Sequence, residues 1–238
     1  MARIISGQAT SATSAMNELA DAIMTLVPYQ SIDTDETNTY YKIYITNDTY
    51  IYIRGYSSSL QIYFGNSNGD LIRLSQSSVS SIFYEVIKAA SGDVLVRAAT
   101  SVLQENKGLQ FAVVKVKNAN GDESRAIFTP AAYSATATAF LTSINGYMNL
   151  IADDNIQADL TKVITAADSA NYSLVNFVYG FNTATGSAKL IPVFNTYTDF
   201  MTENFRVMAQ TPRPYNGDCL INSKKYYCVG FCAMLDEV

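Results

Sequence analysis

Short runs in which tyrosine or isoleucine alternates with another residue constrain the fold of this chain most. Residues 41–45 and 50–54 read Tyr-Lys-Ile-Tyr-Ile and Tyr-Ile-Tyr-Ile-Arg. Side chains alternate between the two faces of a β-strand, so a repeat of two residues favours strands over helices. Asn47-Asp48 separates the two runs and is typical of a turn, so the sequence predicts a β-hairpin here.

Three more hairpins follow from the same kind of pattern. They are predicted at 60–64 and 71–74 around the turn 68–70, at 111–116 and 125–128 around 118–122, and at 218–222 and 225–230 around Ser223-Lys224. Further strands are predicted at 172–181, 188–194 and 204–210. Strands joined by short turns pair antiparallel, which argues against a doubly wound parallel sheet with a helix between successive strands.

The clearest helix is predicted at residues 9–27. Apolar residues recur there every three or four positions, namely Met16, Leu19, Ala20, Ile23, Leu26 and Val27. Ser11 or Thr13 is expected to cap its start, and Pro28 ends it. The helix is expected either to cover its own domain's core or to dock as an arm on a neighbouring subunit. Helical spacing also marks 77–88, and further helices are predicted near 136–151 and 156–168.

The predicted fold class is α+β, with mainly antiparallel β-hairpins in sandwich-like sheets and about three helices, including the N-terminal one. Composition changes after Pro130, where an Ala/Thr/Ser-rich run begins, and this predicts a boundary. The domains are therefore predicted as an N-terminal helical arm at 1–28, a β-rich domain at 29–130, and an α+β domain at 131–238 that ends in a hairpin.

The charge content narrows the possible partners. Only 16% of residues are charged, against about 25% in a typical globular protein, so Ser, Thr, Asn, Gln and Tyr must cover much of the surface. Such a surface suits either a subunit packed against neighbours or a domain with uncharged loops. The net charge is −5 and the 16 basic residues are scattered, the densest pair being Lys224-Lys225, so no nucleic-acid partner is predicted.

No membrane insertion is predicted. The N-terminal residues lack the apolar region of a signal peptide. The uncharged stretch between Arg125 and Asp153 contains Pro130 and many Thr, Ser and Asn residues, so it falls short of about 20 predominantly apolar residues. The chain is expected to be made in the cytoplasm, which the resemblance given below makes that of a bacterial host.

Catalytic patterns are largely excluded, and neither an enzyme nor a cofactor is predicted. The chain has no histidine, which rules out Ser-His-Asp and Cys-His arrangements, and no glycine pattern cradles a phosphate. Residues 33–37 begin like a calcium loop, but Asn38 and Tyr44 stand where glycine and glutamate are needed, so a solvated acidic turn is expected. A pair of acids able to cleave a glycosidic bond is the least favoured alternative, and the candidates are Asp153, Asp154, Asp199 and Glu203.

The three cysteines, Cys219, Cys228 and Cys232, fall within the last 20 residues. Zinc would need a fourth ligand such as Asp236, and structural zinc rarely departs from cysteine and histidine ligands. Buried strand thiols are the favoured interpretation, and no metal site is predicted.

The tyrosines are the strongest positive signal for function. Seven of them, Tyr40, Tyr41, Tyr44, Tyr50, Tyr52, Tyr56 and Tyr63, lie in one hairpin region and are expected on both faces of its sheet. An exposed aromatic face serves as a protein hot spot or a sugar-stacking platform. Tyrosine also has a high β-propensity, so the same residues can be ordinary strand residues without a binding role. Both interpretations, the binding face and the ordinary strand composition, stay open.

The C-terminal segment Asp-Cys-Leu-Ile-Asn-Ser-Lys-Lys-Tyr-Tyr-Cys-Val-Gly at 218–230 resembles the terminal hairpins of virion structural proteins from tailed bacteriophages and related contractile particles. Ser223 stands where those hairpins usually turn on glycine. The low-charge, Tyr- and Asn-rich composition is similar to the same group.

This resemblance implies a structural component of a tail, baseplate or neck, which packs against copies of itself and other virion proteins. A carbohydrate- or receptor-binding module at a tail tip, with a host surface glycan as partner, is the alternative. The candidate interface residues are Met16, Leu19, Ile23, Tyr50, Tyr52, Tyr63, Tyr226 and Tyr227. Deletion of residues 1–27 is expected to prevent assembly while the β body stays folded, whereas an unfolded truncation would place the helix in the core.

Overall fold

The computed structural model describes residues 1–35, 37, 39–67, 69–76, 81–100, 109–117, 123–130, 148–151, 177–182, 187–192, 205–207, 217–221, 224–229 and 232–237. The elements in order are β1 (Arg3–Ala9), α1 (Ala12–Leu26), β2 (Ser31–Asp33), β3 (Tyr40–Tyr44), β4 (Tyr50–Tyr56), β5 (Ser59–Asn66), β6 (Gly69–Gln76), β7 (Ile82–Lys88), β8 (Val94–Ala99), β9 (Leu109–Lys117), β10 (Glu123–Pro130), β11 (Met148–Ile151), β12 (Phe177–Asn182), β13 (Ser187–Pro192), β14 (Phe205–Val207), β15 (Gly217–Ile221), β16 (Lys224–Val229) and β17 (Cys232–Leu235). These residues are therefore mostly antiparallel β-structure with one helix.

Two large sheets face each other across a shared core. One has six strands in the order β1-β7-β8-β9-β10-β11, and the other has five strands in the order β2-β3-β4-β5-β6. Phe64 of β5 meets Phe111 of β9 edge to face, with ring centroids 4.7 Å apart. Since such pairs contribute beyond the area that they bury, this contact helps to join the two sheets.

Helix α1 packs between β1 and β7 of the first sheet and β3, β4 and β5 of the second. Ser11 caps it, because its hydroxyl accepts the Ser14 N–H, and the Ser14 hydroxyl in turn accepts the Ser11 N–H. Its buried face consists of Ala12, Ala15, Met16, Leu19, Ala20, Ala22, Ile23 and Leu26. At Gly55 of β4, a Cβ atom would lie 2.8 Å from the Ala12 carbonyl oxygen, so only glycine allows this close approach of helix and strand.

The helix at the N-terminus and the hairpins β3–β4, β5–β6, β9–β10 and β15–β16 confirm the corresponding predictions. The helical interpretation of 77–88 is wrong for residues 82–88, which form β7, and residues 77–80 lie outside the described residues. Both faces of β7 carry apolar residues: Ile82 and Val86 face the shared core, and on the other face Ile87 is buried and Phe83 is half-buried. A strand buried on both faces loses its simple alternation, and its apolar residues then imitate helical spacing.

A count of about three helices is not supported by the described residues. The predicted helix at 156–168 lies outside them, and so does most of the one at 136–151, whose last four residues form β11. The boundaries predicted at 28 and 130 stay predictions. Even so, β1 pairs with β7, and β11 pairs with β10, so strands on both sides of residues 29–130 complete its six-stranded sheet.

The β4–β5 hairpin offers a test of local geometry. Ser57 opens its two-residue turn with φ at 52°, a left-handed conformation that costs an L-residue roughly 1–2 kcal/mol. We expect Ser57→Gly to raise the free energy of unfolding by up to about 1 kcal/mol, since glycine adopts this φ without that cost but loses more chain entropy. Urea denaturation checks this, with Ser58→Gly as the matched control that should not stabilise. Equal effects of the two substitutions would contradict the assignment of strain to Ser57.

Candidate functional site

The outer face of the five-stranded sheet carries most of the clustered tyrosines. We call it the tyrosine face, and it comprises Tyr40, Lys42, Tyr44, Tyr50, Tyr52, Arg54, Tyr56, Gln61 and Tyr63. The alternate positions Ile43, Ile51, Ile53 and Ile62 are fully buried in the core. The period of two therefore separates an aliphatic inner face from an aromatic outer face on the same strands.

The rings on this face are packed against one another. Tyr52 lies at the centre, stacked on Tyr40 at 5.2 Å between ring centroids and edge-on to Tyr63 at 5.4 Å. Tyr44 and Tyr50 form a second, tilted pair at 5.6 Å. The hydroxyl of Tyr63 donates to Gln61 Oε1 at 2.9 Å. The face is thus a preformed aromatic surface with fixed ring orientations.

Two cations lie over rings of the same face. Lys42 Nζ is 3.9 Å from the centroid of the Tyr50 ring and 5.2 Å from that of Tyr44. The Arg54 guanidinium carbon is 4.4 Å from the centroid of Tyr56, which is the most exposed tyrosine of the face at 56%. Such cation–π contacts hold positive charge against the rings. Asp33 of β2 lies directly opposite Lys42 and adds a negative charge to the same face.

The sequence prediction placed eight residues at an interface, and the structure separates them. Met16, Leu19 and Ile23 are 0% exposed and pack in the chain's own core, so the helix face predicted to meet a neighbouring subunit has no surface left for it. Tyr226 is also fully buried. The structure therefore places these four side chains in the interior and not at an interface.

The other four predicted residues remain near the surface to different degrees. Tyr52 and Tyr63 are half-buried on the tyrosine face, whereas Tyr50 is 4% exposed because its ring lies over the backbone of Gly65. Tyr227 of β16 is half-buried on a different sheet, and burial raises its pKa, with Glu85 adding to the shift. Tyr52 and Tyr63 are therefore the predicted residues best placed for contact.

Asp35 closes the acidic turn beside this face. Its carboxylate accepts the Thr39 N–H at 2.6 Å, the Thr39 hydroxyl at 2.5 Å and the Thr37 hydroxyl at 3.1 Å. These hydrogen bonds lower the pKa of Asp35, chiefly through the Thr39 side chain. The carboxylate oxygens thus hold the turn together, in keeping with the predicted solvated acidic turn.

The C-terminal cysteines and Asp236 are the candidate metal ligands of this chain. The Cys232 side chain is fully buried, and burial raises the pKa of its thiol well above the ordinary value. Asp236, the possible fourth ligand, instead accepts the Ala90 N–H at 3.0 Å and pairs with the N-terminal amine at 3.2 Å. No group of three or more cysteine and acidic residues close enough to hold a metal occurs within the described part of the chain.

A second feature, missed by sequence reasoning, is an open polar cleft of about 280 Å³ between the two large sheets. It lies where the β3–β4 turn meets β9 and β10, and its lining residues are Gln30, Ile45, Thr46, Asn47, Lys115, Ser124 and Arg125. Thr46 Oγ1 accepts the N–H groups of Asp48 and Thr49 at 3.3 and 2.9 Å, which braces the turn. Only one of the lining side chains, Ile45, is apolar.

The acids considered for glycoside cleavage, Asp153, Asp154, Asp199 and Glu203, lie outside the described residues. Comparison with protein-family models, curated proteins and solved structures finds no match to this chain. In the parts of the chain that the structure describes, no helix is long and apolar enough to cross a membrane.

Proposed function

We propose that this chain is a structural subunit of a tailed-bacteriophage virion or phage-like contractile particle, in its tail, baseplate or neck, and that it acts by protein–protein assembly rather than catalysis. The tyrosine face carries the proposal. Tyr40, Tyr52 and Tyr63 form a continuous aromatic row across β3, β4 and β5, with their rings fixed by mutual contact. Preformed aromatic surfaces are typical of the centres of protein interfaces, since ordering them costs little on binding.

The ring geometry favours a protein partner over a sugar. A sugar stacks on an open ring face, but here Tyr52 is covered by Tyr40, and Arg54 lies over Tyr56. Side chains of a partner protein can instead contact ring edges, hydroxyl groups and the two cations together. The carbohydrate- or receptor-binding alternative therefore draws less support from this face than assembly does.

Exposed apolar residues on two sheet edges support the same proposal. Ile32 is 38% exposed on β2, the edge strand next to the tyrosine face, and Ile4 is 46% exposed on β1, the edge of the six-stranded sheet. An edge strand presents unpaired backbone groups on one side. A neighbouring subunit that covered these edges would satisfy those groups and bury both isoleucines.

Particle analysis tests the proposal. In density-gradient-purified particles from the producing culture, we expect peptides of this chain at a fixed stoichiometry to the major subunits. When tagged variants compete with the native chain, Tyr52→Ser with Tyr63→Ser should be incorporated at least about tenfold less, because buried interface tyrosines contribute more than about 1 kcal/mol each.

Tyr29→Ser is the matched control, since Tyr29 is 42% exposed and lies outside the tyrosine face. Its incorporation should equal that of the native chain, and circular dichroism should show all variants folded. Absence of the chain from particles would overturn the structural role. Equal incorporation of folded Tyr52→Ser/Tyr63→Ser protein would remove the tyrosine face from the interface.

A further inference from the structure

Four basic side chains converge at one end of the six-stranded sheet. Lys115 and Arg125 are directly opposite each other in the β9–β10 ladder, and Arg3 is directly opposite Lys88 in the β1–β7 ladder. By the period of two, all four continue rows that face the shared core. Lys115 follows Val113, Arg125 precedes Ile127, Lys88 follows Val86, and Arg3 precedes Ile5.

This arrangement is unfavourable without a counterion. Like charges directly opposite each other on neighbouring strands destabilise a sheet, and here two such pairs occur at the same end. Burial lowers the pKa of Lys88, and the charges of Arg125, Lys115 and Arg3 lower it further, so the four cations interact. A chain with a net charge of −5 thus concentrates a quarter of its 16 basic residues in one place.

One buried carboxylate, Asp93, interacts with both Arg125 and Lys115 but is only partly available to offset the positive charge. Asp93 is 0% exposed, and it accepts the Lys115 N–H at 2.9 Å and the Ser91 hydroxyl at 2.7 Å. Nη1 of Arg125 is buried and has no hydrogen-bond partner among the described residues. A buried donor of a charged group without a partner is costly, and an anion held beside the same guanidinium offsets part of this cost.

The cleft described above opens at these cations, since Lys115 and Arg125 line it. We propose that it is a binding site for a carboxylate-bearing ligand of monosaccharide size, a sugar acid of the hexuronate class. The carboxylate pairs with Arg125 and Lys115, and the hydroxyl groups of the ring hydrogen-bond to Gln30 and Asn47.

The size and the lining select this class over a simple ion. A cleft of about 280 Å³ equals the volume of roughly nine waters, far more than a single inorganic oxyanion fills. The side chains around the two cations are amides and hydroxyls, which suit a ligand rich in hydroxyl groups. This ligand site is separate from the proposed assembly role and does not depend on it. Absence of the chain from particles would therefore not contradict the site.

Titration of the full chain tests the inference, with binding followed by ¹H–¹⁵N NMR and by thermal shift. Glucuronate should shift the resonances of cleft residues and raise Tm, whereas glucose, which lacks the carboxylate, should do neither. Sulfate, which lacks the ring, should bind more weakly than glucuronate. Added salt should weaken glucuronate binding, because the carboxylate is held by charge.

Variants locate the site. Arg125→Gln should weaken glucuronate binding by at least about tenfold, because it removes a charge-assisted hydrogen bond. Lys115→Gln, at an exposed position, gives the same test if Arg125→Gln does not fold. Arg54→Gln removes an equal charge on the tyrosine face and should leave binding unchanged. Binding of glucose or sulfate as tight as that of glucuronate would overturn the inference, and so would unchanged binding by folded Lys115→Gln protein.

Discussion

A chain that lacks residues 1–27 is expected to show no cooperative unfolding transition. Helix α1 buries Met16, Leu19, Ile23 and Leu26, each at 0–1% exposure, between the two large sheets. Burial of one such side chain contributes about 1.5–3 kcal/mol, so these four together contribute about 6–12 kcal/mol. That sum is comparable to the whole stability of a typical domain, about 5–15 kcal/mol. The truncation also removes β1 and leaves β7 without its edge partner.

Urea denaturation followed by near-ultraviolet circular dichroism is the measurement, because the tyrosines report tertiary packing. Leu19→Ala is a milder version and should lower the free energy of unfolding by about 2–5 kcal/mol. Thr25→Ala, on the exposed side of the same helix, is the matched control and should stay within about 0.5 kcal/mol of the native chain. A truncated chain that retained a cooperative transition would restore the interpretation of the helix as an arm.

Replacement of Arg97 by alanine is expected to have the next largest effect. Arg97 of β8 is 1% exposed, and its guanidinium lies 3.1 Å from the Glu85 carboxylate of β7. On this side of the sheet it lies within electrostatic range of Tyr227 and Cys232 from the C-terminal strands. Arg97→Ala leaves a cavity and a partly buried carboxylate without its cation, which should lower the free energy of unfolding by about 3–5 kcal/mol.

Two comparisons distinguish the lost charge from the lost volume. Arg97→Met with Glu85→Gln keeps the volume and removes both charges, so it should be clearly more stable than Arg97→Ala. Lys225→Met breaks the surface ion pair between Lys225 Nζ and the Asp218 carboxylate, which are 2.9 Å apart, and should leave the urea midpoint close to that of the native chain. Equal losses for Arg97→Ala and Lys225→Met would contradict the assignment of Arg97 as a buried ion-pair partner.

The tyrosine face shows which features of a surface can be predicted from the local sequence pattern. In β3, β4 and β5, isoleucine or phenylalanine alternates with tyrosine and charged residues, and the turns between these strands are short. The two-residue alternation and the β3–β4 hairpin therefore follow from the sequence. The expectation of tyrosines on both faces is met only by Tyr41, because the other six of the seven lie on the outer face. The pattern does not show how Tyr40, Tyr52 and Tyr63 orient their rings, since this depends on cross-strand register and on packing.

The cleft and the cations beside it show what the local sequence pattern does not predict. Lys115 and Arg125 belong to one hairpin, so their pairing follows from the position of its turn, and a search for like charges opposite each other would have found them. Arg3 and Lys88 are 85 residues apart, and only the pairing of β1 with β7 brings them together. The scattered positions of the basic residues in the chain thus gave no indication of a shared charged end.

The sequence by itself determined the N-terminal helix, the predicted hairpins and the two-residue alternation in the five-stranded sheet, because these depend on side-chain periodicity and turn chemistry over fewer than about 20 residues. Only the tertiary structure decided that α1 lies in the core, that 82–88 is a strand and that Arg97 is buried. It also decided that four cations lie at one end of the six-stranded sheet, where two of them line a polar cleft. These features depend on which distant strands pair and on what covers each face, and such contacts leave no period in the local sequence.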